Sequence, residues 1–394
     1  MTPAARAQAA IELLDQIITA AREAGPAADT IISAYFKTRR YAGSKDRRAV
    51  RELVYRAIRR SGERPISGRA ALLGLAQDDS NLIALFDGSP HGPLPLKEDD
   101  PAAPASLLPE WLAERFDPLV DEQEREALLA RAPLDLRVNR LKGDVAEARA
   151  ALPEAVPTPL SPLGLRLPEG GRVEDRPAWQ TGLVEVQDEG SQLLSLGCGA
   201  APGNLVVDLC AGAGGKTLAL AAEMGNRGRI LACDTDRGRL SRMRPRLERA
   251  GVSIMDMRLL NPDVELEPLQ DIRGQADIVL VDAPCSGTGT WRRNPETRWR
   301  LTPERLGRLV QLQAHLLEVA AELVRPGGFL VYAVCSLLEE EGRGQAEAFG
   351  SRRSAFICQA FPIEFGRASG PGRLLTPAHD GTDGFFVARW QAPC

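Results

Sequence analysis

The stretch Leu205-Val-Val-Asp-Leu-Cys-Ala-Gly-Ala-Gly-Gly-Lys-Thr217 decides the fold. An apolar run ends on Asp208, passes through a glycine-rich turn and continues into a pattern that reads as helix. Further strand patterns follow at Ile230–Asp234, Asp277–Asp282, Phe329–Val334 and Phe385–Trp390. Helical patterns lie between them, notably Leu306–Val324, which Arg325-Pro-Gly-Gly328 should terminate. Alternating strands and helices predict an α/β fold with a doubly wound, mostly parallel sheet covered on both faces. Ligands of such sheets bind beyond the carboxyl ends of the strands, near the point where strand order reverses.

Spacing narrows what the turn can hold. A phosphate-binding loop needs glycine five residues before Gly215-Lys216-Thr217, and that position is Cys210. A dinucleotide fingerprint starting at Gly212 needs glycine or alanine where Thr217 stands. What remains is a nucleoside-type turn, or a tight strand–helix connection with no ligand. Asp234 ends the next strand about 20 residues on, where a carboxylate can accept hydrogen bonds from both ribose hydroxyls. Together these point to an adenosine-bearing cofactor. S-adenosylmethionine fits best, having ribose but no phosphate.

Two thiols occupy strand ends beside that turn. Asp277-Ile-Val-Leu-Val-Asp282 runs into Ala-Pro-Cys285, and Phe329–Val334 runs into Cys335. A lone buried cysteine is usually a packing residue, but two at neighbouring strand ends suggest chemistry. Carbon 5 of cytosine is a poor nucleophile. A thiolate adding to carbon 6 makes carbon 5 nucleophilic enough to take a methyl group, which is covalent catalysis. Asp282 is the candidate general acid toward N3. Chemistry alone does not say which thiol attacks.

The rest of the chain bounds the setting. There are 394 residues with a formal net charge of −4, an unpromising total for a nucleic-acid binder unless charge is locally clustered. Seven cysteines without a Cys-x-x-Cys pair, and only 3 histidines, argue against a zinc site and against a disulfide framework. No apolar run is long enough to cross a bilayer, and the charged N-terminal stretch lacks a signal-peptide pattern, so a cytoplasmic location is expected. Residues 1–90 read as a helical domain, with Ser44 and Asp46 as candidate N-caps of the helix carrying Val50, Leu53, Val54, Ala57 and Ile58. Residues 91–106 are rich in Pro and Gly and read as a linker. Residues 107–170 read as a small connecting α+β subdomain with a helix over 109–116, a strand over 134–139 and a helix over 145–152. Residues 171–394 form the catalytic domain.

Taken together, Asp208–Thr217, Val281-Asp-Ala-Pro-Cys-Ser-Gly-Thr-Gly289, Arg292-Arg-Asn-Pro-Glu296 and Val334-Cys-Ser-Leu337 resemble the Sun/Fmu/Nop family of RNA cytosine-5 methyltransferases. The resemblance extends to Val184–Gln192 and Gly381–Phe386. Ser44–Tyr55 looks like the NusB-like domain of the bacterial branch that includes ribosomal small-subunit methyltransferase B, and Leu136-Arg-Val-Asn139 is similar to a segment of that branch. The resemblance implies a class I methyltransferase-type sheet, Cys335 as nucleophile and Cys285 as the cysteine that helps release product. It implies cofactor contacts from Cys210, Ala211, Gly212, Ala213, Gly214, Gly215, Lys216, Asp234 and Asp282, the last either to cofactor or to the base. Three positions depart from the family pattern. Ala213 stands where proline is common, Ala333-Val334 where Ser-Thr is common, and Asn261 is the candidate cofactor contact near a position expected to carry an acid.

RNA is the implied partner, with ribosomal RNA favoured by the N-terminal resemblance. Arg292 and Arg293 are the candidate phosphate contacts, with Trp291 and Trp299 available to stack bases. The arginines of 237–249 read mostly as a solvated helix face, and the basic stretch Lys45–Arg60 as either an RNA or protein contact or a structural cap. The competing readings are a non-catalytic RNA-binding assembly factor on the same fold, a small-molecule methyltransferase, and transfer RNA as substrate. The intact thiols and glycine turn disfavour the first of these.

Overall fold

The computed structural model describes residues 1–23 and 25–394. The chain divides into two compact units.

The first unit holds residues 1–116, 121–131 and 290–303. Its helices are α1 (Pro3–Arg22), α2 (Ala28–Lys37), α3 (Ser44–Arg60), α4 (Gly68–Asp78) and the short α5 (Glu122–Ala127). Thr2 caps α1 by accepting from the Ala5 amide at 3.1 Å, and Pro3 opens the helix where no N–H is needed. Ala7, Ala10, Leu14, Ile17 and Ile18 recur at helical spacing and are buried against Val54, Ile58 and Leu72. Each large aliphatic side chain contributes roughly 1.5–3 kcal/mol by leaving water. The N-cap of α3 is Gly43 rather than Ser44 or Asp46; Asp46 sits at the third helical position and accepts the Gly43 amide at 3.3 Å.

Residues 91–106, expected as a linker, are held on this unit. Ala103 N–H bonds the Ala70 carbonyl at 2.9 Å, and Arg69 pairs with Asp100. The helix expected over 109–116 is only a 3-10 turn at Glu110–Leu112.

The second unit holds residues 117–120, 132–289 and 304–394. A small antiparallel sheet comes first, from β1 (Leu134–Val138), β2 (Val156–Pro157), β3 (Gly164–Leu167) and β4 (Val184–Val186), in the order β2-β3-β1-β4. Helices α6 (Val145–Ala151) and α7 (Pro177–Gln180) accompany it, and Leu136, Val138, Leu152, Leu165 and Val184 form its core. Asn139 is buried and donates to the carbonyls of Gly182 and Ala250, both at 2.9 Å. The Leu-Arg-Val-Asn segment thereby fastens this small sheet to the larger one that follows.

Helix α8 (Glu189–Gly197) leads into β5 (Leu205–Asp208), α9 (Gly215–Glu223), β6 (Arg229–Asp234), α10 (Arg237–Ala250), β7 (Met255–Leu259) and β8 (Ala276–Asp282). Then come α11 (Pro303–Leu323), β9 (Val324–Val334), α12 (Arg343–Arg352), β10 (Ile357–Cys358), β11 (Arg367–Ser369), β12 (Gly372–Leu375), α13 (Pro377–Asp380) and β13 (Phe385–Gln391). The sheet runs β11-β12-β13-β9-β8-β5-β6-β7, with β10 on β13. Strands β9, β8, β5, β6 and β7 are mutually parallel, and β10 to β13 are antiparallel. Buried on both faces, the central strands are near-continuous Val/Ile/Leu runs. Strand order reverses between β5 and β8, so the ends of these two strands frame the crevice such sheets use for ligands. The Arg-Pro-Gly-Gly segment does stop α11, but it already belongs to β9, whose pairing with β8 slips between Ala276 and Ile278.

Candidate active site

The turn after β5 is shaped by two left-handed glycines, Gly212 (φ 57°) and Gly214 (φ 86°). At Gly214 a Cβ would lie 2.5 Å from Met243 Cγ, so packing as well as backbone requires glycine there. At Gly212 and Gly215 a Cβ would meet nothing within 4 Å. The backbone between Asp208 and α9 thus faces open space, with the first N–H groups of α9 beside it. Asp234, at the end of β6, braces this turn by accepting the Gly212 amide at 2.8 Å and the Asp236 amide at 2.7 Å. A carboxylate has about four acceptor sites, which leaves room for ribose hydroxyls. Ala213, in the common proline position, is held from outside the turn. Arg246 of α10 donates to its carbonyl at 2.6 Å and to buried Glu185 at 3.1 Å.

Asp208 is fully enclosed beneath the turn. One oxygen accepts from Thr217 Oγ1 at 2.7 Å; the other has no hydrogen-bond partner. Burial pushes its carboxyl up to about 7 even though the Thr217 bond pulls the other way. The glycine cradle, the acid at the end of β6 and the orphaned buried oxygen all fit an adenosyl group bound at this edge.

Lys216, in the first turn of α9, reaches across to β8 and donates to Asp282 Oδ2 at 2.6 Å. Its Nζ also lies 5.6 Å from the centre of the Phe385 ring. Burial alone would lower the Lys216 pKa, but the Asp282 charge and hydrogen bond outweigh it and raise it above the ordinary value. The ammonium therefore stays charged at the crevice.

The two thiols meet. Cys285 Sγ lies 3.4 Å from Cys335 Sγ, on loops leaving the adjacent parallel strands β8 and β9. The Cys335 hydrogen bond, then burial, hold the Cys285 thiol well above the ordinary cysteine value. Cys198 and Cys233, by contrast, are buried packing thiols, and burial raises both.

The loops are knit from behind by residues that the sequence reading did not select. Ser286 and Ser336, each following a cysteine, have their hydroxyls 3.0 Å apart. Both bond the buried carboxylate of Glu341, Ser286 through its amide and Ser336 through its hydroxyl. The repeated Cys-Ser dipeptide was the available signal. Gly289 and Gly384 pack backbone to backbone, and a Cβ on Gly289 would lie 2.0 Å from the Gly384 oxygen. That approach brings the Gly381–Phe386 segment to the thiols.

Asn261 is exposed, just past the end of β7. Arg292 is buried and Arg293 half-buried, both in the helical unit. Trp291 and Trp299 are 1% and 2% exposed, so neither offers a face for stacking a base, contrary to expectation. Trp299 Nε1 donates to the Ser61 carbonyl at 2.8 Å, and its ring belongs to the α1–α4 core. Three of the six arginines of α3 are paired locally: Arg51 with Asp29, Arg56 with Asp79 and Arg60 with Asp78. Arg237, Arg239, Arg242 and Arg244 of α10 face solvent, as a polar helix face should. No helix among the described residues is long and apolar enough to cross a membrane, and no cluster of potential metal ligands occurs among them.

The family model for 16S rRNA methyltransferase RsmB/F matches residues 199–391. Ribosomal RNA small subunit methyltransferase B of Xylella fastidiosa strain 9a5c is 38% identical over 331 residues, covering 81% of this chain and 75% of that protein. The chain belongs to the RsmB/F methyltransferase family. The protein of the same name from Yersinia enterocolitica is 36% identical over 298 residues, covering 72% of this chain and 66% of the relative. The match thus spans about two thirds of the length of several RsmB/F relatives. Among solved structures, the protein PH0851 superposes with a TM-score of 0.79 at 25% identity, covering 99% of both chains. A methyltransferase homologue from Pyrococcus horikoshii gives 0.60 at 29% identity, covering 68% of this chain and 90% of that one. As an RsmB/F methyltransferase the chain takes S-adenosylmethionine as its cofactor, and the glycine turn, Asp234 and Lys216 stand where such a group fits.

Proposed function

We propose that this chain methylates carbon 5 of a cytosine in RNA, with small-subunit ribosomal RNA as substrate, through a covalent bond between Cys335 and carbon 6 of the base. The observation that carries the reading is the 3.4 Å separation of Cys285 and Cys335 at the carboxyl edge of the sheet, beside the Lys216–Asp282 pair.

Cys335 gives its electron pair to carbon 6, and the ring becomes nucleophilic at carbon 5. Charge builds up on the N3 side of the ring as this happens. Asp282 and Lys216 are the polar groups available to bind that edge, to lend N3 a proton as the thiolate adds and to take it back when the ring is restored. S-adenosylmethionine supplies the electrophilic methyl group. Carbon 5 then loses its proton to a base, the carbon 6–sulfur bond breaks, and its electron pair returns to Cys335. Cys285 lies within hydrogen-bond reach of the departing sulfur, so its thiol can donate to the thiolate as it leaves. A base must be unpaired or swung out to reach half-buried thiols, which favours a loop or incompletely assembled RNA. The names of the RsmB/F relatives support ribosomal RNA over transfer RNA.

Bisulfite sequencing of cellular RNA with and without the protein tests this. Loss of conversion-resistant cytosine at one or a few small-subunit positions is expected. Identical maps, or loss confined to transfer RNA, would contradict the substrate assignment.

A further inference from the structure

Glu341 is fully buried, and among the described residues it pairs with no lysine or arginine. A buried carboxylate without a cation is costly unless its lone pairs are filled. Here they are filled from three directions. Oε1 accepts the Ser286 amide at 2.8 Å and Gln313 Nε2 at 2.9 Å; Oε2 accepts the Ser336 hydroxyl at 2.6 Å. Ser286 adjoins Cys285, Ser336 adjoins Cys335, and Gln313 is on α11. Gln313 also donates to the Pro284 carbonyl at 2.9 Å. From the core of β9, the Tyr332 hydroxyl donates to the Glu341 carbonyl at 2.6 Å.

The loops tied together here come from distant sequence, and the carboxylate is the shared acceptor of both. We propose that Glu341 is the positioning residue that holds the Cys285 and Cys335 loops in register. It does so by accepting hydrogen bonds from both loops and from α11 at once. This rests on the reading of the two thiols as the reacting pair. Glutamine can keep the arrangement: its oxygen still accepts from Ser286 and Gln313, and its amide donates to Ser336, whose hydroxyl can turn toward Thr288 or Ser286. Alanine cannot. Since both variants remove the charge, comparing them with each other isolates the clamp from the electrostatic effect of Glu341 on Cys285.

The test uses full-length protein and two readouts. Diamide, which accepts the two electrons and two protons released, closes the Cys285–Cys335 disulfide, and mass spectrometry follows the rate. Glu341→Ala should close at least tenfold more slowly than Glu341→Gln, with both variants binding S-adenosylmethionine within threefold of wild type by calorimetry. In methyl transfer, Glu341→Ala should lose at least 30-fold in kcat with RNA KM within threefold, and Glu341→Gln should recover most of it. If Glu341→Ala does not bind cofactor, Ser336→Ala, which removes the Oε2 link along with that hydroxyl's contacts to Ser286, Thr288 and the Leu338 amide, should still slow closure at least threefold. Equal closure rates for Glu341→Ala and Glu341→Gln, or an unslowed Ser336→Ala in that case, would overturn the proposal. Failure of the wild type to methylate any RNA would overturn the parent reading alone, because the disulfide comparison needs no methyl transfer.

Discussion

Cys285 and Cys335 present their sulfurs to each other at 3.4 Å although 50 residues separate them in the chain. The parallel pairing of β8 and β9, with Asp282 opposite Ala333, ends both strands at nearly the same level and so starts the two loops side by side.

Cys285 should label slowly. Since its pKa is raised by the Cys335 hydrogen bond and by burial, its thiol keeps its proton to higher pH than an ordinary cysteine. With iodoacetamide at pH 8, peptide mass spectrometry should find Cys285 modified at least tenfold more slowly than a free cysteine peptide. Cys335→Ala should speed Cys285 labelling, since it removes the larger cause. An unchanged Cys285 rate in Cys335→Ala would contradict that cause.

Asp208 should make the stability of the cofactor-free protein pH-dependent. Its folded pKa is about 7 against an ordinary 3.8. A raised pKa contributes stability that is complete below the unfolded value and is lost as pH rises through the folded one. This contribution should therefore fade between about pH 4 and pH 7, by on the order of 3 kcal/mol. Asp208→Asn should flatten that part of the profile in urea unfolding at pH 5 and pH 8. An unchanged slope would show that Asp208 titrates normally.

Arg246 should matter to cofactor affinity without touching the chemistry. It holds the Ala213 carbonyl in a turn that lacks the rigidity of proline. Arg246→Met should weaken S-adenosylmethionine binding about tenfold, roughly 1.4 kcal/mol. Adding Ala213→Pro should restore most of it by calorimetry. No loss in Arg246→Met would show that the turn needs no brace.

The helical unit should not be removable. Residues 290–303, which follow the Cys285 loop, belong to it. Glu296 accepts the Ala28 amide at 3.1 Å, and Trp291 and Trp299 are buried within the unit. Large aromatic rings of this kind each remove about 150–250 Å² from water, worth roughly 4–6 kcal/mol per ring. A fragment of residues 132–394 should aggregate or melt at least 10 °C lower than the full chain in calorimetry. Trp299→Ala in the full chain should cost about 3–5 kcal/mol. A fragment as stable as the whole would contradict this.

Four of the five parallel strands, the glycine turn and both thiols were legible because each is a continuous local pattern: an apolar run, a turn signal, a residue with reactive chemistry; β7, Met255-Asp-Met-Arg-Leu259, was missed because charged residues interrupt its apolar run. Glu341 was missed too. In Leu338-Glu-Glu-Glu-Gly342 it resembles a solvated charge run, and its burial comes from Ser286, 55 residues away, and Gln313, 28 residues away. The segment Trp291–Arg300 misled for the same reason. Alternating arginine and tryptophan looks like a nucleic-acid surface, but the Arg298 guanidinium is taken up by the Ile58 carbonyl at 2.6 Å, 240 residues away. Strands β11 and β12 escaped notice because Gly-, Ser- and Arg-rich sequence gives little strand signal. They form by pairing onto β13.

The most direct test of the central claim is denaturing electrophoresis of each cysteine variant incubated with S-adenosylmethionine and protein-free small-subunit ribosomal RNA. Cys285→Ala should accumulate a protein–RNA species that survives denaturant and disappears on RNase digestion. Cys335→Ala should form none and should lose at least 1,000-fold in methyl transfer. A stable adduct in Cys335→Ala, or full methylation by it, would show that Cys335 is not the nucleophile.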